Sequence, residues 1–499
     1  VANQGTERRR GKGLASLEAW HCDVKEFIDY KKKIGGSNVG NDELGTVLWI
    51  PDLFMKRLEE NVDWTLFNPE DVGNLHDLYD FEFERRYVEL EEQSARGDFP
   101  SQRVATSDLW QKIMQRIFET GYPKIAFKDT CNRANMCKNG VIHAPNLCLE
   151  HTLNTSYEET AVCNTGSLDI GKHLRGDGSL DAEALRHTVQ IAVRALDAMI
   201  DVNYFPTEAS KTFAHKYRAI GLGVMGFQNA LYHKNMPFGS REALEFGSEC
   251  FELIAYETIG ESVELAKQFG ACPVCELTEW KKGVLPMDFS SNGTKARLDW
   301  DALRDKLRRF GIRNAYLNAN SPTRKISRLM GCFPGLAPAT RNVFTKELSN
   351  NREMMIISQE LVRTLKRHGF WNKEVHKQIR YFEGELAAID EISDEVKNLY
   401  CTAFMIDSPI LIEHAAVCQR WIDQSQALRL FLAAPNLRAL SSMFIDAWKK
   451  GIKSINDVKS AGFTLNKNYE ISGECTDGTN AMLDAIGRFR GYHSYMPRE

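Results

Sequence analysis

Apolar residues recur at helical spacing along much of this chain, and polar stretches rich in Gly, Pro, Asn or Asp separate the periodic segments. Residues 48–60 and 104–120 read as amphipathic helices, the second with Ser107-Asp108 as its N-cap before LWQKIMQRIF. KIAFKD (124–129) reads as a short strand. A long helix is predicted over 181–201, capped by Asp181, and another over 241–268, ending at Gly270. The helix predicted over 299–311 stops at Gly311, after which NAYLNANSPT passes from strand into loop. Residues 351–368, 374–388 and 392–407 read as charged helices. No internal repeat of roughly 20–50 residues is visible. Strands alternating with helices predict an α/β fold of barrel type. The main body spans 1–460; the polar stretch 461–499, with Gly473, Gly478, Gly487 and Gly491, reads as a surface appendage.

Composition narrows the class. With 499 residues, 43% of them hydrophobic, the chain can bury a large core. Its net charge of −4 gives no general attraction to nucleic acid or acidic membranes. No apolar run approaches the about 18 residues of a membrane span, and the Arg-rich start has no apolar stretch of signal-peptide type. Twelve irregularly spaced cysteines suit a reducing compartment, so a cytoplasmic location is expected. The sequence opens on Val1 and is expected to be part of a longer product.

The densest chemistry lies at Asn146, Cys148 and Glu150, which alternate within APNLCLE, with Cys163 following in AVCNTG. An extended segment repeats every two residues, so an amide, a thiol and a carboxylate would share one face. That set suits sulfur-centred chemistry on a polyol, with the carboxylate as base and the second thiol as reductant. A buried strand with one inert cysteine and two incidental polar neighbours fits the same spacing.

NLCLE followed by ETAVCNTGSLDI closely resembles the active-site region of the ribonucleotide reductase large subunit, class I in particular. RRRGKGLASLEAWHCDVKEFIDYKK (8–32), LWIPDLFMKRLE, VRALDAMIDVNYFP, RAIGLGVMGFQNAL, FGACPVCE and WIDQSQALRLFLAAPN follow in that family's order. The resemblance implies a ten-stranded α/β barrel with a central finger loop, partial in this chain, and 2′-deoxygenation of ribonucleoside diphosphates. It implies that Cys148 carries a thiyl radical, Glu150 acts as base, Asn146 orients the substrate hydroxyls, and Cys163 is one of a reducing thiol pair. The other thiol of that pair corresponds to a position upstream of Val1. No cofactor or metal bound by this chain is expected. The radical is expected from a metal-containing small subunit, with adenosylcobalamin as the alternative. Further expected partners are a complementing N-terminal polypeptide and a thioredoxin- or glutaredoxin-like reductant; neither nucleic acid nor membrane is expected.

Some positions depart from the family pattern. The substrate-diphosphate loop, rich in Ser and Thr in the family, corresponds here to Pro322, Thr323, Arg324, Lys325, Ile326, Ser327 and Arg328. It reads either as a charge-based phosphate site or as a solvated basic turn. The tyrosine pair of class I radical relays is absent from Ile455-Asn456-Asp457-Val458-Lys459-Ser460, which leaves Tyr469, Tyr492 and Tyr495 as tail candidates. The tail holds Cys475 in place of a closely spaced cysteine pair. These departures keep a second reading open, a degenerate homologue acting as scaffold or binding partner. Gly221-Leu222-Gly223-Val224-Met225-Gly226 follows a basic, helix-like segment and is read as a structural turn, not a dinucleotide site. Cys272 and Cys275 form a C-x-x-C without a second pair, so no metal role is assigned. His21 reads as structural, and Arg8, Arg9 and Arg10 as a basic turn or a phosphate contact.

Overall fold

The computed structural model describes residues 5–6, 9–34, 37–38, 43–290, 296–347, 353–434 and 436–460. The tail expectations (461–499, with Tyr469, Cys475, Tyr492 and Tyr495) and Arg8 lie outside the described residues.

One hydrogen-bonded ladder organises the molecule. Strands β1 (Gly13–Glu18), β2 (Leu44–Ile50) and β3 (Lys124–Phe127) are parallel neighbours. β4 (Asn164–Asp169) pairs in parallel with β5 (Ile220–Met225). Residues 316–320 run beside β5, with the Leu222 amide donating to the Leu317 carbonyl at 2.8 Å. They also run beside 424–427, through Asn320 N–H to Ser425 O at 3.0 Å and Ala427 N–H to Asn320 O at 2.9 Å. The chain then enters β6 (Arg429–Leu432). Near the end of the described chain, β7 (Ser454–Ile455) pairs antiparallel with β3, and β8 (Asp457–Ser460) pairs in parallel with β6. The order is therefore β1, β2, β3, β7/β8, β6, 316–320, β5, β4. Two parallel groups meet antiparallel at β3 and β7. Among the described residues no pairing joins β1 to β4.

Strand β2 shows why the ladder sits inside the molecule. Val47 and Trp49 point to one face, Leu48 and Ile50 to the other, and all four are fully buried. Leu48 and Ile50 join the main core, with Ile125 and Phe127 of β3. Val47, Trp49 and Ala126 instead form a small cluster with Leu149, which comes from the loop carrying Cys148. This corrects the helix expected over 48–60: residues 48–50 are strand and only α1 (Asp52–Glu60) is helical. A strand buried on both faces reads as a continuous apolar run, which periodicity cannot separate from a helix. Pro51 stands at the boundary, extended at ψ 155°.

The remaining helices follow the pattern more closely. α2 (Thr106–Thr120) begins earlier than Ser107-Asp108, with Ala105 at the N-cap; the Thr106 hydroxyl donates to the Val62 carbonyl at 2.5 Å. α3 (Ala182–Val202) is capped by Asp181, whose carboxylate accepts from the Ala184 amide. α4 (Arg241–Phe269) ends at Gly270, and α5 (Trp300–Phe310) runs from Asp299 to Gly311. α6 (Arg324–Met330), α7 (Ser408–Gln419) and α8 (Leu437–Lys449) complete the set used below. Two expected helices are corrected. In 351–368 a strand, Glu353–Ile357, precedes a helix at Gln359–Arg367, and in 392–407 only Asp394–Leu399 is helical. The helix expected over 374–388 occupies Lys373–Tyr381. These segments share a satellite core built on Leu361, Leu365, Val375, Ile379 and Tyr400.

The glycine-rich stretch 221–226 is also corrected. It is mostly strand β5, and only Gly226, at φ 71°, adopts the left-handed turn. At its glycines a side chain is excluded by close approach: a Cβ on Gly223 would lie 2.3 Å from the Ala319 carbonyl oxygen. Gly223→Ala is therefore expected to destabilise by about 3 kcal/mol. Gly260→Ala, in open space on α4, is expected to be neutral or stabilising by up to about 1 kcal/mol. Urea unfolding midpoints of the two variants measure the contrast.

Candidate active site

Asn146, Cys148 and Glu150 stand on one loop, but the loop is a turn, not the extended segment that their alternation predicts. The Leu149 amide donates to the Asn146 carbonyl at 3.0 Å, and Leu149 sits at φ 63°. A left-handed leucine costs roughly 1–2 kcal/mol. Its fully buried side chain, packed on Val47, Trp49 and Ala126, offsets that by about 2 kcal/mol. The Asn146 side chain closes the turn from within, its Oδ1 accepting from the His151 amide at 3.0 Å. At the loop's base the two legs are joined by the Thr155 amide donating to the Val141 carbonyl at 3.2 Å.

Four donors from the ladder fix the tip. Lys124 Nζ donates to the Leu147 carbonyl at 2.6 Å and to Asn456 Oδ1 at 2.7 Å. The Ser454 hydroxyl donates to the Leu149 carbonyl at 3.0 Å, and the Ser425 amide to the Glu150 carbonyl at 2.9 Å. The Ser321 hydroxyl reaches Glu150 Oε1 at 3.1 Å. Glu150 Oε2 is buried and has no partner among the described residues. A buried carboxylate oxygen without a donor is an open acceptor.

Cys148 is half-buried. Burial, and then the negative charge of Glu150, push its thiol above the ordinary range, while Lys124, Arg324 and Arg429 pull the other way. Cys163, immediately before β4, is pushed well above that range by burial, then by Asp423 and Glu150. Gln424 ties the loop to β5: its Oε1 meets His151 Nδ1 at 2.7 Å and its Nε2 donates to the Ile220 carbonyl at 2.8 Å. His151 Nε2 meets Thr165 Oγ1 of β4 at 3.0 Å. Asp423, pushed up to about 6 by burial, accepts from the Leu317 and Asn318 amides and so holds the segment 316–320 in register.

The basic stretch 322–327 divides. Pro322 lines a small cleft with Asn320, Ser321 and Arg429, about 60 Å³ in volume. Thr323 Oγ1 accepts from the Gly335 amide at 2.8 Å, and Ser327 is buried, so both hydroxyls serve the fold. Arg324 lies near enough to Cys148 to act on its thiol and ion-pairs with Asp457 at 3.7 Å, while Lys325 is exposed. Arg429 pairs with the same Asp457 at 3.3 Å.

A family model described as "Ribonucleotide reductase, barrel domain" matches residues 1–457. The chain belongs to the ribonucleotide reductase barrel family. It is 40% identical over 478 residues to the ribonucleoside-diphosphate reductase subunit alpha of Chlamydia muridarum, covering 93% of this chain and 45% of that protein. It is 34% identical over 459 residues to the large subunit of Danio rerio, covering 91% and 56%. For the large subunit of Caenorhabditis elegans the figures are 33% over 474 residues, 93% and 60%. The chain thus spans about half the length of the curated relatives it matches. The fold is accordingly that of the reductase barrel domain.

Within this reductase barrel, several site residues were not singled out from sequence. The pattern marks Lys124 only as part of a strand; Gln424 and Arg429 stand inside the WIDQSQALRLFLAAPN resemblance with no role attached to them, and Ser321 and Ser454 carry none either. The missing tyrosines were the one visible signal: Asn456 and Asp457 stand in that stretch and are bound to Lys124, Arg324 and Arg429. Other motifs serve structure. His21 Nδ1 accepts from the Asp23 amide at 3.0 Å, and Cys275 Sγ accepts from the Ile312 amide at 3.3 Å beside buried Cys272. The side chains of Arg9 and Arg10 fall outside the description.

The surroundings of Cys148 set a pH test. Because its thiol is held above the ordinary range, alkylation by iodoacetamide is expected to rise with pH to a midpoint above that of an unstructured cysteine. Glu150→Gln removes the nearby negative charge and is expected to move the midpoint down. Lys124→Met removes a cation and is expected to move it up. Site-resolved mass spectrometry of the alkylated peptide reads all three.

Proposed function

We propose that this chain forms the catalytic barrel of a ribonucleoside-diphosphate reductase, replacing the 2′-hydroxyl of ribonucleotides by hydrogen to supply deoxyribonucleotides for DNA synthesis. One observation carries the reading: a buried carboxylate with an open oxygen, Glu150, stands two residues from the half-exposed thiol Cys148 on a loop fixed from several sides. A thiyl at Cys148 takes the 3′ hydrogen atom of the ribose. Glu150 accepts the 3′-hydroxyl proton within hydrogen-bond reach, and the 2′-hydroxyl leaves as water. Cys163 and a second thiol supply two electrons and two protons and end as a disulfide, after which Cys148 returns the 3′ hydrogen. Lys124, Arg324 and Arg429 give the site a positive field for the diphosphate, by charge where Thr323 and Ser327 are engaged elsewhere.

The second thiol and the strands that would pair with β1 and β4 are proposed to come from a complementing N-terminal polypeptide. Among the described residues the outer edges of those two strands are unpaired, and this supports the reading, because a sheet edge in a core must be covered. The radical is proposed to come from a metal-containing small subunit, with adenosylcobalamin as the alternative, and a thioredoxin- or glutaredoxin-like protein restores the thiols. No described helix is long and apolar enough to cross a membrane. A second reading, a scaffold without turnover, is favoured by the ion pairs of Asp457 and the Lys124–Asn456 bond where the resemblance leads one to expect oxidisable tyrosines.

Reduction of a 3′-deuterated ribonucleoside diphosphate by the full chain with its partner polypeptides tests the reading. The reductase account predicts deoxynucleotide product with a deuterium isotope effect. Cys148→Ser is expected to abolish product, and Glu150→Gln to reduce it by about 10²-fold or more, with unfolding midpoints unchanged. If the unaltered chain never turns over, with a small subunit or with adenosylcobalamin, the scaffold reading replaces it.

A further inference from the structure

Three metal-type donors converge away from the site, and nothing in the proposed reaction uses them. His76 and Asp77 come from the single turn Leu75–Asp77, while His143 comes from the first leg of the loop that carries Cys148. His143 Nε2 lies 2.9 Å from Asp77 Oδ1, and His76 Nε2 lies 3.5 Å from Asp77 Oδ2. One donor atom from each residue falls within 4.8 Å of the other two. Bonds of about 2.0–2.1 Å at tetrahedral angles separate neighbouring donors by about 3.3 Å; the two histidine–Asp77 distances bracket that value, and the two histidines need only draw together within their 4.8 Å limit.

The surroundings prepare the donors. His143 Nδ1 meets Thr155 Oγ1, on the loop's second leg, at 2.8 Å. A hydroxyl can accept from Nδ1–H, which leaves the Nε2 lone pair directed at Asp77, where a cation fits. It can also donate to Nδ1, which puts a proton on Nε2 and closes an ordinary hydrogen bond to Asp77. The ring is therefore oriented for either state by a partner of the kind that metal-bound histidines use. The His76 carbonyl is held by the buried Lys128 ammonium at 2.9 Å, so the turn presenting His76 and Asp77 is anchored. The side chains are 54%, 43% and 29% exposed, which admits an ion and a water as fourth ligand.

We propose that His76, Asp77 and His143 bind one divalent transition-metal ion of zinc type, which clips the first leg of the Cys148 loop to the body of the protein. The site is separate from the reductase reaction and stands or falls without it. In sequence it is invisible, because His143 follows the other two only after 65 intervening residues.

Untagged, chelator-treated full chain titrated with Zn²⁺ by calorimetry, and with Co²⁺ by visible absorption, tests the site. The expected result is one equivalent bound, with a cobalt spectrum lacking a thiolate charge-transfer band. His76→Ala and His143→Ala are expected to abolish that binding, Thr155→Val to weaken it about tenfold, and Cys272→Ser/Cys275→Ser to leave it unchanged. Hydrogen exchange over 141–155 is expected to slow with Zn²⁺ in the unaltered chain and in neither histidine variant. Absence of binding at millimolar metal, or binding indifferent to both histidine changes, overturns the proposal. Matching unfolding midpoints of the metal-free variants exclude misfolding as the cause of loss.

Discussion

Lys124 holds the site together. Its ammonium is mostly buried, and burial alone lowers its affinity for the proton. It stays useful because it faces two acceptors, the Leu147 carbonyl at the loop tip and the Asn456 side chain between β7 and β8. Removing a partner from such a buried charge costs more than the bond itself contributes. One cation thus links β3, the strand pair that closes against it, and the turn bearing Cys148. The left-handed Leu149 and the open Glu150 oxygen are tolerable because the turn around them is held so firmly.

Firm support of the tip has a chemical consequence. On the proposed reading, a reactive sulfur at Cys148 has to meet one substrate atom and be kept from others, which demands a fixed geometry before substrate arrives. The donors that supply it, Lys124, Ser425 and Ser454, come from three strands widely separated in sequence. Gln424 extends the same framework to β5, joining His151 to the Ile220 carbonyl. Asp457 gathers Arg324 and Arg429 on the far side, so the positive charge near Cys148 is partly compensated by a carboxylate.

Much of this was legible in the sequence, and the rest failed for physical reasons. Long helices such as Ala182–Val202 and Arg241–Phe269 announced themselves, because one face is buried and the caps Asp181 and Gly270 are explicit. Strand β2 was misread because burial on both faces erases alternation. The strand Glu353–Ile357 was misread because its charged surroundings suggested a helix. The residues Asn146, Cys148 and Glu150 were found through an alternation that the structure does not use: a turn, not a strand, brings them together. Lys124 gives no signal and Gln424 only its place in the WIDQSQALRLFLAAPN resemblance, since a lysine opening a strand and a glutamine in a loop look ordinary until their partners are known.

Lys124 fixes the tip carrying Cys148 and Glu150 before any substrate arrives. Amide hydrogen exchange at Leu149 and His151 tests it most directly, because both amides donate within the turn, to the Asn146 carbonyl and side chain. Strong protection of both is expected in the unaltered chain, lost in Lys124→Met while the amides of β2 keep theirs. Rapid exchange at Leu149 and His151 in the unaltered chain, or protection that survives Lys124→Met, would contradict it.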